Sequence, residues 1–178
     1  MSIFIALLRA VNVGRNTLKM ERLRALLAEL GCQNVRTYVQ SGNAVFAVAG
    51  SAGHWEAAIQ RRLAGETRLN VTVIVRTTAE LGKIIAGNPF LSDAGVDPTK
   101  LHVTFLATRP QPAAVKKLAT VAAGGDRARV AGKHVYLYCL GGYGKTKLNG
   151  AMLEKALAVR STTRNWNTVT TLYEMAAR

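Results

Sequence analysis

The sequence has few of the residues that metal sites and disulfide-stapled folds need. It contains two cysteines and three histidines among 178 residues. Two cysteines, Cys32 and Cys139, cannot build a disulfide framework, and free thiols fit a reducing cytoplasm, which is the expected location. The histidines His54, His102 and His134 are scattered, and none stands at metal-ligand spacing from a cysteine. We therefore expect neither a bound metal nor another cofactor.

Long apolar runs are also missing, although 49% of the residues are apolar. No run approaches the roughly 20 residues of a membrane-spanning helix. The opening run, residues 3–8, lacks a basic leader and a cleavage site, so no signal peptide is expected. A chain of this length and apolar content can bury the core of one medium domain or two small ones. This composition excludes a disordered chain, and no membrane partner is expected.

Acidic residues are scarce beside basic ones, with 10 Asp and Glu against 24 Lys and Arg and a formal net charge of +14. Residues 1–76 carry +6 and residues 77–178 carry +8, so the excess is not confined to one tail. Such a chain attracts polyanions, including nucleic acid, acidic lipid headgroups and phosphorylated metabolites. The alternative is a high-pI surface that serves solubility and has no specific partner.

The first half of the chain follows the order β-α-β-β-α-β. Its first strand, predicted at residues 2–13, is apolar on both faces and therefore belongs in the centre of a sheet. Apolar residues at helical spacing predict helices near residues 20–30 and 55–63. The remaining strands are predicted at residues 35–40, 44–48 and 71–76. This order is the split β-α-β arrangement of ferredoxin-like folds.

The second half begins to repeat that order. Thr77 and Glu80 predict a capping box for a connecting helix, and Pro89, Gly95 and Pro98 predict a loop after it. Next come a strand (102–107), a helix after Pro112, a hairpin (127–131 and 134–140) and two helices (147–158 and 165–177). No residue-level similarity between the halves is evident. We predict an α+β fold of two tandem ferredoxin-like (α/β plait) subdomains with antiparallel-rich sheets, at residues 1–76 and 101–178, joined by residues 77–100.

Catalytic signatures are weak throughout. A phosphate-binding P-loop ending at Lys145 would need glycine at position 139, where the sequence has Cys139. None of Asp93, Asp97 and Asp126 follows an apolar strand, as a magnesium-binding aspartate would. No Gly-x-Ser-x-Gly elbow and no obvious pair of catalytic carboxylates is present. The sequence leaves open whether the protein is an enzyme, with no catalytic dyad, triad or P-loop to recognise.

Two segments combine cations with backbone amides that can hold an anion. One is the glycine-rich 142–147 turn, predicted at a helix start. The other is residues 162–168, which predict a helix start capped by Thr163 or Asn165 and carry Trp166 on the buried side. Arg164 has the wrong charge for a helix N-terminus unless it faces solvent or an anion lies there. A shared site requires the chain near Arg160 to fold back. The candidate anion-binding residues are Lys145, Thr146, Lys147, Thr163, Arg164 and Asn165.

A further polar cluster is predicted where two strands of the first half end. Its alternative interpretation is ordinary turn chemistry together with one buried, paired arginine. The members of this loop-end cluster are Arg9, Asn12, Gln40, Ser41 and Asn43.

Several of these runs resemble the bacterial family called domain of unknown function 1697. The resemblance covers nearly the whole chain, and QSGN and TTRNWNT are its specific motifs. It implies two ferredoxin-like halves and no established activity, cofactor or substrate. The runs are LLRAVNVGRNTLKM (7–20), NVRTYVQSGNAVF (34–46), NPF (88–90), HVTFL (102–106), GYGKTKL (142–148) and TTRNWNTV (162–169).

The sequence favours a cytoplasmic binding module for phosphate-bearing polyanions such as nucleic acid. Tyr136 and Tyr138 alternate on one predicted strand face, but the paired aromatics of an RNA-recognition sheet are missing, so binding is expected through the phosphate backbone. The alternative is an enzyme, or a binder of a phosphorylated small molecule, acting on an anionic metabolite in the groove between the two halves. A homo-oligomeric scaffold is a third hypothesis, and the sequence carries no signal for the oligomeric state.

Overall fold

The chain is described here by a computed structural model. Its described residues form two compact units, and the predicted domain boundaries at residues 76 and 101 stay a prediction. Among the described residues, no helix is long and apolar enough to cross a membrane. The structure describes residues 1–12, 17–67, 71–119 and 124–178. The first unit comprises Met1–Ile85 with Thr170–Arg178, and the second comprises Ala86–Val169.

The first unit contains a four-stranded antiparallel sheet in which the strands, numbered along the chain, lie in the order 2-3-1-4. This arrangement confirms the predicted β-α-β-β-α-β order and the central position of the first strand. That strand ends at Leu8, not at residue 13, because Ala10 and Asn12 have φ angles of 54° and 58°, which no strand can accommodate. Residue 13 itself lies outside the described residues. The elements are β1 (Ser2–Leu8), α1 (Met20–Glu29), β2 (Gln33–Thr37), β3 (Asn43–Val48), α2 (Ala52–Thr67), β4 (Val73–Thr77) and α3 (Thr78–Ala86).

One face of this sheet forms the core with α1 and α2. Phe4 and Leu8 of β1 are buried together with Leu23 of α1 and with Ile59 and Leu63 of α2. Alternate strand positions and helical i, i+4 positions therefore face each other, as the apolar spacing predicts.

The second unit repeats this topology in full, because its four strands, numbered along the chain, also lie in the order 2-3-1-4. The antiparallel halves predicted from the sequence are thus confirmed as two α+β sandwiches. Two short 3-10 helices, Pro89–Ser92 and Pro98–Lys100, occupy the predicted loop before the first strand of the second unit. The elements are β5 (Leu101–Leu106), α4 (Pro112–Ala119), β6 (Arg127–Ala131), β7 (His134–Tyr138), α5 (Gly150–Leu157), β8 (Ser161–Asn165) and α6 (Trp166–Ala177).

The prediction of a helix start at residues 162–165 is wrong. These residues form β8, which pairs with β5 and completes the second β-α-β-β-α-β order. Consecutive β-branched threonines favour this extended backbone, and pairing with a buried central strand stabilises it. Helix α6 begins one residue later, and the Asn165 side chain caps it by accepting a hydrogen bond from the Thr168 amide at 2.8 Å. Of the two predicted capping residues, Asn165 is therefore the one that caps.

Strand register reveals a correspondence between the units that the sequence does not make evident. Arg76 lies opposite Ile5 in the first sheet, and Arg164 lies opposite Val103 in the second. Both arginines are buried, with 4% and 8% of their surfaces exposed. Each directly precedes the residue that caps the following helix. Arg76 precedes Thr77, which forms the predicted capping box with Glu80. Arg164 precedes Asn165, which caps α6. The two units therefore match at the end of their last strands, in a buried arginine followed by a helix cap.

Candidate functional site

The loop-end cluster of the first unit is held together by hydrogen bonds to its own loops. The Asn12 amide group donates to the carbonyl of Gln40 at 2.6 Å and to that of Leu18 at 2.9 Å, and Asn12 Oδ1 accepts from the Leu18 amide. Asn43 is fully buried and donates to Ser41 Oγ at 2.8 Å. Turn chemistry therefore accounts for the conformations of Asn12, Ser41 and Asn43.

Gly42 allows this cluster to close onto the first strand. Its φ is +71°, and its carbonyl accepts a hydrogen bond from the Leu8 amide at 2.9 Å. Arg9 is half-buried beside this contact, and its amide donates to the Thr72 carbonyl. The structure thus brings the two chain segments of the predicted cluster together. A ligand at the cluster stays a prediction.

In the second unit, the 142–147 turn is anchored through a buried threonine. Thr146 Oγ1 donates to Asp126 Oδ2 at 2.5 Å and accepts from the Leu148 amide at 3.0 Å. The other carboxylate oxygen of Asp126 accepts from the Leu140 amide at 2.8 Å. Lys145 and Lys147, on either side of Thr146, are exposed. Thr146 therefore holds the turn, and the two lysines present their charges to solvent.

The turn and β8 reach the same end of the second sheet. Ala158 adopts a left-handed φ of 54° after α5, and β8 then runs back beside β5. The fold-back expected near Arg160 is therefore present. Tyr143 of the turn interacts electrostatically with Arg164 of β8, and its ring stacks on that of His102 with centroids 4.9 Å apart.

Arg164 is a buried cation that is hydrogen-bonded to its own strand. Its Nη1 donates to Thr162 Oγ1 at 2.7 Å and to the Thr163 carbonyl at 2.9 Å. Burial lowers the pKa of Arg164 to about 10, and the interaction with Tyr143 acts in the opposite direction. Thr163 Oγ1 lies 2.8 Å from Thr104 Oγ1. Arg164 and Thr163 therefore serve strand packing, and anion binding by these residues stays a prediction.

His102 and Tyr143 lie at the same sheet end as Arg164, although no sequence signal connects them. They are 41 positions apart and meet only because the turn after β7 folds over the start of β5. His102 Nδ1 lies 3.2 Å from the Lys100 carbonyl. Burial lowers the pKa of His102, and this hydrogen bond partly offsets the effect. The neutral imidazole is therefore favoured in the fold.

The opposite end of the second sheet carries three exposed cations, here called the basic end: Arg109, Lys133 and Arg160. The carbonyls of Lys133 and Arg160 accept hydrogen bonds from Leu106 and Ala107, both at 2.9 Å, which fixes both residues at the end of β5. The guanidinium of Arg109 lies over the hairpin turn, with Nη2 3.7 Å from where a Cβ on residue 132 would stand. No sequence signal marks this group, because only the tertiary structure brings the three residues together.

The strand tyrosines that alternate on one face of β7 are not available for base stacking. Tyr136 is 3% exposed and Tyr138 is 9% exposed. Burial also raises the pKa of Tyr136. The sheet face that an RNA-recognition fold would use is therefore closed at these two positions.

Comparison with known proteins agrees with this architecture. The sequence profile of a family described as "Protein of unknown function (DUF1697)" matches residues 1–136. The chain belongs to the DUF1697 family. The conserved bacterial protein SP0830 from Streptococcus pneumoniae has a similar structure, with a TM-score of 0.80 and 18% sequence identity over 100% of this chain and 99% of that one. At that identity the similarity shows the fold alone. No functionally curated protein matches the chain.

The DUF1697 match includes the loop-end cluster, Arg109 and Lys133, and it ends before the 142–147 turn and β8. Within the described parts of the chain, no three His, Cys, Asp or Glu side chains come together as a group that could hold a metal ion.

Proposed function

We propose that this DUF1697 protein binds phosphate-bearing polyanions, and nucleic acid foremost, through exposed cations of its second unit. The observation that carries the proposal is the basic end, where Arg109, Lys133 and Arg160 meet at one end of a sheet. Three guanidinium and ammonium groups there can contact successive phosphates, which is the usual source of sequence-independent affinity.

The charge of the surrounding unit supports this proposal. Residues 86–169 hold 12 Lys and Arg against 4 Asp and Glu, a net charge of +8. The four carboxylates, whose charges this net value already includes, are all hydrogen-bonded or ion-paired within the fold, so the unit as a whole attracts a polyanion. The pairs are Asp93 with Arg127, Asp97 with the Thr99 amide and hydroxyl, Asp126 with the Leu140 amide and Thr146, and Glu154 with the Ser161 amide and, at 4.0 Å, with Arg160.

Binding of this kind is weakly sequence-specific and strongly salt-dependent, because burial of Tyr136 and Tyr138 leaves phosphate contacts as the main source of affinity. Fluorescence anisotropy of a labelled single-stranded oligonucleotide measures it directly. We expect affinity that falls steeply with salt in wild type, and weaker binding in an R109Q/K133Q variant. The matched control is K19Q/K83Q, which removes two exposed cations from the first unit. Equal losses in both variants would mean that total charge, not the basic end, governs binding.

A phosphorylated small molecule is the second candidate ligand, at the opposite end of the sheet. The observation that favours it is that exposed Lys145 lies in a turn at the same end of the sheet as Arg164 of β8. Inorganic phosphate should then raise the thermal stability of wild type, and K145A and R164A should reduce that rise. The matched control is K155A, which removes an exposed lysine on α5. If R164A does not fold, the comparison of K145A with K155A decides the question. An undiminished rise in K145A excludes this ligand site.

A further inference from the structure

Strand β6 forms the outer edge of the second sheet, and a groove of about 360 Å³ runs along it. Four consecutive residues, 126–129, line the groove. In an edge strand, alternate residues direct their backbone N–H and C=O groups away from the sheet. At about 3.3 Å per residue this stretch spans roughly 10 Å. The floor of the groove is therefore a strand edge that can pair with another extended chain.

The two walls of the groove come from opposite faces of the sheet. On one face, the guanidinium of Arg127 lies 4.7 Å from the ring centroid of Phe90 and 4.9 Å from that of Tyr138. On the other face, Leu118 and Leu148 belong to the core of the unit. Groove residues thus flank both faces of β6, and no strand among the described residues pairs with the edge between them. A single added strand fits this arrangement because its alternate side chains would contact the two walls in turn.

One cation in the groove, the exposed Arg129, favours a carboxylate on the occupant. Asp93 is paired with Arg127 at 2.6 Å, and both oxygens of Asp126 accept hydrogen bonds. Arg129 is exposed on the same face as Arg127, and it has no ion-pair partner among the described residues. A second copy of β6 would set arginines against arginines, which is unfavourable. A carboxylate opposite Arg129 has the required chemistry.

We propose that this groove binds an extended acidic peptide, which adds to β6 as a fifth strand of the second sheet. Its backbone pairs with the outer edge of β6, and one carboxylate contacts Arg129. The neighbouring residues of the peptide are apolar and contact Ala119 and Ala128, which line the groove beside the buried Leu118 and Leu148. The site is distinct from the basic end, so its test does not depend on polyanion binding.

The probe is a labelled synthetic peptide of alternating valine and glutamate, titrated onto the full chain by fluorescence anisotropy. We expect binding that R129E weakens by roughly tenfold or more, equivalent to at least about 1.4 kcal/mol. A peptide with lysine in place of glutamate should bind R129E better than wild type. K155E is the matched control, because it reverses an exposed charge outside the groove and should leave peptide affinity within about twofold.

Backbone pairing is tested on the peptide, so that no variant can fail by unfolding. N-methylation of alternate amides removes the donors from one edge of the added strand. One of the two N-methylation registers should abolish binding and the other should retain it. Equal binding of both N-methylated peptides would refute strand addition, as would loss of peptide binding in K155E alone. Displacement of the peptide by an oligonucleotide with no effect of R129E would assign the signal to general charge and overturn the proposal.

Discussion

Replacing Gly42 by alanine tests whether the loop-end cluster is positioned by close contact with the first strand. A Cβ at this position would stand 2.8 Å from Leu8 Cβ and 3.3 Å from Val11 Cβ. Both neighbours are buried, with 1% and 3% of their surfaces exposed, and the contacts are with atoms next to their backbones. Neither side chain can therefore rotate away to relieve the overlap.

Two costs add at this site. The left-handed φ of +71° penalises any L-residue other than glycine by roughly 1–2 kcal/mol. Inserting a methyl group into a packed site adds about 1–3 kcal/mol. We therefore expect the Gly42→Ala change to lower the free energy of unfolding of the first unit by about 2–5 kcal/mol. Such a loss is a large fraction of the stability of a small domain.

Two other glycines separate these contributions. Gly31 has a φ of +88°, with no heavy atom of the described structure within 4 Å of its Cβ position, so G31A should show only the conformational cost. Gly53 lies in the first turn of α2 with equally open space, so G53A should not destabilise the protein. Urea and thermal unfolding rank the three variants. A G42A protein no less stable than G31A would refute the close-contact argument.

Three further predictions concern buried side chains. Trp166 is 9% exposed, as its helical spacing predicts, so W166A should lower the free energy of unfolding by about 3–5 kcal/mol. W166F should retain most of the wild-type stability. A W166A protein as stable as wild type would contradict this prediction. Because burial lowers the pKa of His102 below its usual 6.5, the unfolded chain takes up the proton first, and the free energy of unfolding should decrease as pH falls below about 6.5. H102F should flatten that part of the pH profile, and an unchanged profile would argue against it. Burial raises the pKa of Cys32 to about 11 and that of Cys139 in the same direction, so both thiols should resist a disulfide reagent near neutral pH until the protein unfolds; rapid labelling of the native protein would count against this.

The sequence predicted the fold well where one strand or helix carries its own periodic signal. Phe4, Ile59 and Leu63 stand at the spacings that bury them, and the order of elements in the first half follows from such patterns. The prediction failed at residues 162–165, where polar β-branched residues precede a good capping residue. The local conformational preferences of these residues are compatible with a helix start. Pairing with β5 stabilises the strand instead.

The candidate sites were less predictable because they depend on which residues the sheets bring together. Asn12 and Gln40 were singled out as polar residues at strand ends, and they do meet. The stacking of His102 on Tyr143 was not predicted. The two residues are far apart in the sequence, and neither belongs to a recognisable metal-ligand or catalytic motif. The same holds for Arg109, whose position over the hairpin turn follows from tertiary structure alone.

The salt dependence of oligonucleotide binding tests the central proposal most directly. Each phosphate contact with a single strand contributes a slope of about −0.7 to the logarithm of affinity against the logarithm of salt concentration. Three contacts from the basic end predict a slope of roughly −2, and R109Q/K133Q should bring it closer to zero by about 1.4, while K19Q/K83Q leaves it unchanged. A wild-type slope near zero, or an R109Q/K133Q slope equal to that of wild type, would contradict polyanion binding at the basic end.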